Sequence, residues 1–208
     1  NYRASGHPEK ALPLLKEAYA ARQQHSQLSI WGLNLFLTYV DLDQAEKAAA
    51  MLDEVVSIVR RMCPPRSPAL ATQLVGFSSH LLDAGYVEQV EPLAREAIEI
   101  NRIDQPDSWI VFNVQSKLGG ALLGQEKFQD AKPLLLKSYQ GLERLRDTIP
   151  VAARPRLTEA LERIVTFSES RGEKGDAESA KQDRNKLAEL QERQTEGEQP
   201  ETSPSPKN

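Results

Sequence analysis

The sequence predicts an all-α solenoid of antiparallel helix pairs, and three observations carry that prediction. Segments Lys10 to Ala18 (KALPLLKEA), Gln89 to Ala97 (QVEPLAREA) and Asp130 to Ser138 (DAKPLLLKS) share one pattern: a small or apolar residue, a proline two places on, then a Leu-rich amphipathic run. Ala11, Ala48, Val90, Ala131 and Ala177 hold the same place in five units, two of them degenerate (Ala45 to Val55 and Gly172 to Lys181), at spacings of 37, 42, 41 and 46. No stretch alternates apolar and polar residues as a strand would. A period near 40, at roughly one helix pair per unit, is the mark of stacked helices.

The elements follow in order. Leu12, Leu15, Ala18 and Tyr19 recur at three- and four-residue steps, so Pro8 to about Gln24 is an amphipathic helix. Ser26 or Gln27 breaks it, and Trp31, Leu35 and Tyr39, four apart, mark a helix from Leu28 to about Leu42. Asp43 opens another, which Pro64, Pro65 and Pro68 stop near Met62; Ser67 caps the next, Pro68 to Asp83, with proline in the permitted first turn. Ala84-Gly85 ends it, and Gly6 and Gly124 mark comparable turns five and seven residues before Ala11 and Ala131. Val87 to about Arg102 returns antiparallel, Pro106-Asp107 starts a helix to Leu123, and Phe128 to Arg146 returns from that. Ile149-Pro150 and Arg154-Pro155 form a longer joint, and Leu157, Leu161, Ile164, Val165 and Phe167 make one more helix, closed near Gly172. The run from Asp176 to about Arg193 is mostly charged and reads as a cap, because a terminal repeat needs a polar outer face. From Thr195 to Asn208 no large apolar residue remains, which predicts a disordered tail. The units are then 1–25, 26–66, 67–105, 106–148 and 149–194, with the tail at 195–208. Tyr2 falls where Tyr39, Leu81 and Leu122 fall, nine residues before the shared position, so unit 1–25 is expected to be the second part of a truncated repeat in a longer protein.

Composition narrows the function. The 208 residues carry a formal net charge of -4 and a mean hydropathy of -0.52, with no basic excess that would point to nucleic acid or an anionic membrane surface. Leu28 to Leu42 is the most apolar stretch, but Ser29, Asn34, Thr38 and Asp41 interrupt it, so none is expected to cross a bilayer. The chain has one cysteine, Cys63, and hence no internal disulfide framework. A cytoplasmic location is expected.

Leu118 to Tyr139 (LGGALLGQEKFQDAKPLLLKSY) resembles a tetratricopeptide repeat. Leu118-Gly119, Phe128 and Ala131 match that motif's Leu-Gly pair, aromatic and small residue; Ala11, Ala48 and Ala97 repeat the small role, with Val90 and Ser138 as substitutes. The long period and the proline are similar to the kinesin-light-chain type, and Ile149 to Lys186 resembles the end of arrays that follow bacterial serine/threonine kinase domains. The resemblance implies a right-handed TPR-like superhelix, whose function is a non-catalytic protein–protein interaction scaffold. It also implies an alternative, a regulatory or substrate-recruiting region of a kinase whose catalytic domain lies upstream. Phe36, Ser78 and Val165 stand where the motif has its contact glycine, so those helix pairs are expected to pack more widely or at a different tilt.

No catalytic constellation is legible, and no cofactor or metal is expected. Gly119 to Gln125 (GGALLGQ) lacks the preceding strand, the lysine and the Ser or Thr of a phosphate loop. His7, His25 and His80 are scattered, and Cys63 has no activating histidine nearby in the chain. Ser203-Pro204 and Ser205-Pro206 are short Ser-Pro pairs in the tail. The resemblance implies a concave groove lined by the first helix of each pair. Asn34, Leu37, Thr72, Ser79, Asn113, Ser116, Lys117 and Arg163 would point into it, the amides and hydroxyls toward a peptide backbone and the cations toward an acidic group. Glu159, Glu162 and Glu169 near Arg163 give that end mixed charge. The expected partner is a protein or peptide, with self-association through the truncated first repeat as a further possibility.

Overall fold

A computed structural model describes residues 5–21, 28–171 and 174–197, and the described residues form helices and turns without a strand. The expectations for Tyr2, the break at Ser26 or Gln27, His25 and the tail beyond residue 197 lie outside them. The helices are α1 (Pro8–Ala21), α2 (Leu28–Asp41), α3 (Ala45–Met62), α4 (Pro68–Asp83), α5 (Val87–Asp104), α6 (Trp109–Gly124), α7 (Phe128–Arg144), α8 (Pro155–Arg171) and α9 (Lys174–Gly197). The chain divides between Pro106 and Asp107 into two compact units. In the first, α1 packs on α2, α2 on α3 and α4 on α5, with α3 also touching α4. In the second, α6 packs on α7, α8 lies against both, and α9 covers α8.

Local chemistry sets the helix ends. Ser67 Oγ accepts from the Leu70 N–H at 3.2 Å, with Pro68 in the first turn. Ser108, not Pro106-Asp107, caps α6: its Oγ accepts from the Val111 N–H at 3.4 Å. The turns after α2, α4 and α6 are one motif repeated. Gln44, Tyr86 and Lys127 N–H groups each reach back five residues, to the carbonyls of Tyr39, Leu81 and Leu122, at 2.9 Å in every case. Asp43, Gly85 and Glu126 hold the left-handed position with φ of 54°, 80° and 59°. Each lies five residues before the shared small position, as Gly6 does at φ 73°. Gly124 was expected to mark the third of these turns, yet Glu126 is its left-handed residue. The register to Ala131 places that conformation whatever side chain occurs there.

The repeated prolines also have a common place. Pro13, Pro92 and Pro133 are each the sixth residue of α1, α5 and α7, and all three are exposed. A proline there removes the N–H that would bond four residues back, but on the solvent side water can satisfy the freed carbonyl.

The small positions behave as close contacts. Ala48, Val90, Ala97, Ala131 and Ser138 are fully buried. A Cβ on Gly119 would lie 2.8 Å from Leu135 Cδ2 and 3.3 Å from the Leu135 backbone nitrogen, so α6 and α7 approach each other through that glycine. Where α4 carries Ser78 in the same register, the hydroxyl is buried and donates to its own helix, to Leu74 O at 2.8 Å. Phe36 on α2 is buried and meets the Tyr86 ring edge-on at 5.2 Å.

The joint after α7 contains two 3₁₀ turns, Arg146–Thr148 and Val151–Ala153, anchored by buried Ile149. Cap helix α9 runs to Gly197, past the end near Arg193 read from sequence. Between Lys181 and Glu192 none of its side chains is buried. Ionic and polar contacts hold it: Arg184 Nε to Glu169 Oε1 at 2.9 Å, Lys186 Nζ to Glu143 Oε1 at 3.2 Å, and Gln191 Nε2 to Glu162 Oε1 at 3.4 Å. Lys186 also sits 4.7 Å over the Tyr139 ring, and its hydrogen bond with Tyr139 is the main cause raising the ammonium above its ordinary range.

Candidate functional site

The eight groove residues read from sequence separate into two groups. In the first unit Asn34 is half-buried and Leu37 buried, and together with Leu33, His80 and Asp83 they line an open cleft of about 530 Å³ between α2 and α4. Thr72 and Ser79 stand apart from that cleft. Their hydroxyls donate to Pro68 O at 2.9 Å and Val75 O at 3.0 Å, one turn back on α4 itself. A hydroxyl satisfied by its own helix keeps only acceptor capacity for a ligand.

The second unit brings Asn113, Ser116, Lys117 and Arg163 together. Every residue of α6 from Val111 to Gly119 is buried, and four of these are polar: Asn113, Gln115, Ser116 and Lys117. Lys117 is only 2% exposed, and its Nζ lies 3.9 Å from Glu159 Oε2 on α8. The same oxygen is 3.5 Å from Arg163 Nη2, and Arg163 Nη1 donates to Ser116 Oγ at 3.2 Å. Arg156 contacts the other carboxylate oxygen, Glu159 Oε1. One carboxylate is therefore shared by three cations from two helices. A buried ammonium is costly unless an anion compensates it, so this arrangement follows from placing a lysine in the middle of α6.

Two acceptors in this region stay unmatched: Asn113 Oδ1 and Gln115 Oε1 are buried without a hydrogen-bond partner. Asn113 and Lys117 are one helical turn apart and share a face of α6. The acids near Arg163 do not act alike. Glu159 faces the cations, whereas Glu162 and Glu169 are engaged by Gln191 and Arg184 of α9. Sequence reading missed Arg156 and the central place of Glu159. The i, i+3 and i, i+4 spacing of Arg156, Glu159 and Arg163 was the available signal.

Elsewhere the chemistry stays sparse. Among the described residues no group of three or more His, Cys, Asp or Glu side chains could hold a metal ion, and no helix is long and apolar enough to cross a membrane. Cys63 is half-buried with a free thiol at the end of α3. Burial pushes the Tyr19 phenol up, helped by the hydrogen bond its hydroxyl donates to Glu54 Oε1 at 2.9 Å; this ties α1 to α3.

No family model matches the sequence, and no curated protein matches it. Solved structures do. Two crystal structures of a Podosopora anserina protein, described as a kinesin light chain with nearly identical TPR-like repeats and one of them a point variant, superpose with TM-scores of 0.67 and 0.65. The first is 16% identical over 94% of this chain and 92% of that one; the second is 17% identical over 92% and 90%. BtubC (BKLC) from P. vanneervenii is similar at a TM-score of 0.65 and 17% identity, over 100% of this chain and 82% of that one. At such identities the likeness shows the fold alone: an all-α solenoid of TPR-like helix pairs, of the kinesin-light-chain kind expected from the sequence.

Proposed function

We propose that this protein is a non-catalytic interaction scaffold whose ligand is a peptide or a segment of a partner protein. The docking face in this reading is the one α6 and α8 share. There Lys117 and Arg163 direct an acidic group of the ligand, Ser116 lies beside them, and Asn113 Oδ1 accepts a backbone N–H. The observation that carries it is the buried Lys117, 2% exposed and one turn from an unpartnered Asn113 Oδ1, in a helix that packing alone would fill with apolar side chains. In the first unit Asn34 and Leu37, beside their cleft, provide a smaller second face, and Thr72 and Ser79 contribute acceptors. No cofactor enters this reading. Self-association through the repeat at 1–25 and a cytoplasmic location belong to the same proposal.

Fluorescence anisotropy with labelled acidic peptides, against neutral peptides of equal length, tests it. Binding should prefer the acidic set and weaken about tenfold or more in Lys117→Met and Arg163→Met, the loss of roughly one charge-assisted contact. Equal binding of both sets, or none, would overturn the assignment. The kinase-linked reading rests on the resemblance of Ile149 to Lys186 and is tested by the coding sequence upstream of Asn1.

A further inference from the structure

We infer that the cleft between α2 and α4 takes an arginine side chain from a segment of a partner protein. The inference rests on the reading of that cleft as a second peptide-binding face and adds the chemistry of what enters it.

The wall of the cleft is apolar. Leu33, Leu37 and Val40 follow one another at four- and three-residue steps, so they form one stripe along α2, with Asp41 a turn beyond Leu37. Leu33 and Val40 are only half-buried, which leaves the stripe open to a methylene chain. The far end is acidic. Asp41 is the last residue of α2 and Asp83 the last of α4; both are exposed and both line the cleft. A helix C-terminus carries partial negative charge and favours a cation, yet each of these two ends carries a carboxylate. Among the described residues that line the cleft none is a lysine or arginine, and the last turn of α2 has no basic residue. Asp41 is also engaged within the protein, so Asp83 is the principal partner for an incoming cation.

Two carboxylates and two helix ends of one sign around an opening, with an apolar wall behind them, match a cation on an aliphatic stem. Lysine and arginine both have that form. Arginine fits better, because its guanidinium is the more weakly hydrated and its fork can meet both carboxylates. A metal ion would leave the stripe unused.

An NMR titration of the full chain tests the inference, with acetyl-arginine amide standing for an arginine within a polypeptide. Amides of residues 33–41 and 80–84 should shift and saturate, and Asp83→Asn should raise the Kd about tenfold. Acetyl-norleucine amide, an uncharged stem, should bind far more weakly, as should the arginine homologue with a single methylene in its stem. Equal binding of norleucine would remove the carboxylates' role. Equal binding of the short homologue, shifts spread over other acidic surfaces, or no shifts at all would also overturn the inference. Acetylated and amidated Gly-Gly-Arg-Gly-Gly should bind at least as tightly as the single residue; a loss of tenfold or more would remove the protein segment as the source. Lys117→Met should leave arginine binding unchanged. Arginine binding without acidic-peptide binding would remove only the α6–α8 assignment, and the reverse result would remove only this inference.

Discussion

Helices α4 and α6 hold corresponding places in the first and second units, and they handle buried polarity in opposite ways. On α4 the buried polar side chain is a hydroxyl. Ser78 is fully buried, yet it, Thr72 and Ser79 each bond a carbonyl of their own helix. On α6 the buried polar side chains include an ammonium and two amides, and an amide oxygen at such a position cannot be matched by the carbonyls of its own helix. Lys117 finds Glu159 on α8, while Asn113 Oδ1 and Gln115 Oε1 find none. Polarity that a helix satisfies alone fills space and does little more. Polarity that depends on a neighbouring helix couples the two, and where it is left unmatched it offers a ligand something to complete.

Substitutions at matched positions sharpen this contrast. Gly119→Leu should have the largest effect, about 3 kcal/mol of destabilisation by chemical denaturation, since even a Cβ there would crowd Leu135. An unchanged midpoint would remove the close α6–α7 approach. Lys117→Ala should cost about 2 kcal/mol, chiefly from the lost packing of its buried stem, whereas Lys117→Met should cost under about 1 kcal/mol. Equal losses in the two variants would mean that the charge, not the stem, stabilises the fold. Ser78→Ala on α4 should change stability by less than about 1 kcal/mol, because the donor and acceptor it removes belong to one helix turn. A larger loss there would erase the distinction between the helices. The smallest effect concerns the turns: Glu126→Gly should stabilise by roughly 0.5–1 kcal/mol in a thermal melt, since the backbone at φ 59° suits glycine, and Gly85→Ala should destabilise by a similar amount.

Much of the scaffold was legible because its causes are local. Ser67 before Pro68 sets a helix start, Leu-rich runs at three- and four-residue steps set the helices, and Ala131 marks a contact that only a small side chain permits. The third turn was less legible, because the residue that adopts the left-handed conformation is Glu126 and its side chain does not advertise it. The surroundings of the residues assigned to a groove were not legible. Nothing in the spacing of Lys117 showed that it would be almost fully enclosed, or that Glu159 would serve three cations while Glu162 and Glu169 turn to α9.

The amino-acid order by itself determined the helices, their caps and the repeating period, since hydrogen bonding and side-chain pairing within a helix reach only three to four residues along the chain. Tertiary structure decided which polar groups are buried and which acid meets which cation. Those outcomes depend on side chains from α6 and α8, more than forty residues apart in the case of Ser116 and Arg163, being brought within hydrogen-bonding distance. Burial then makes each match or mismatch far weightier than it would be in water.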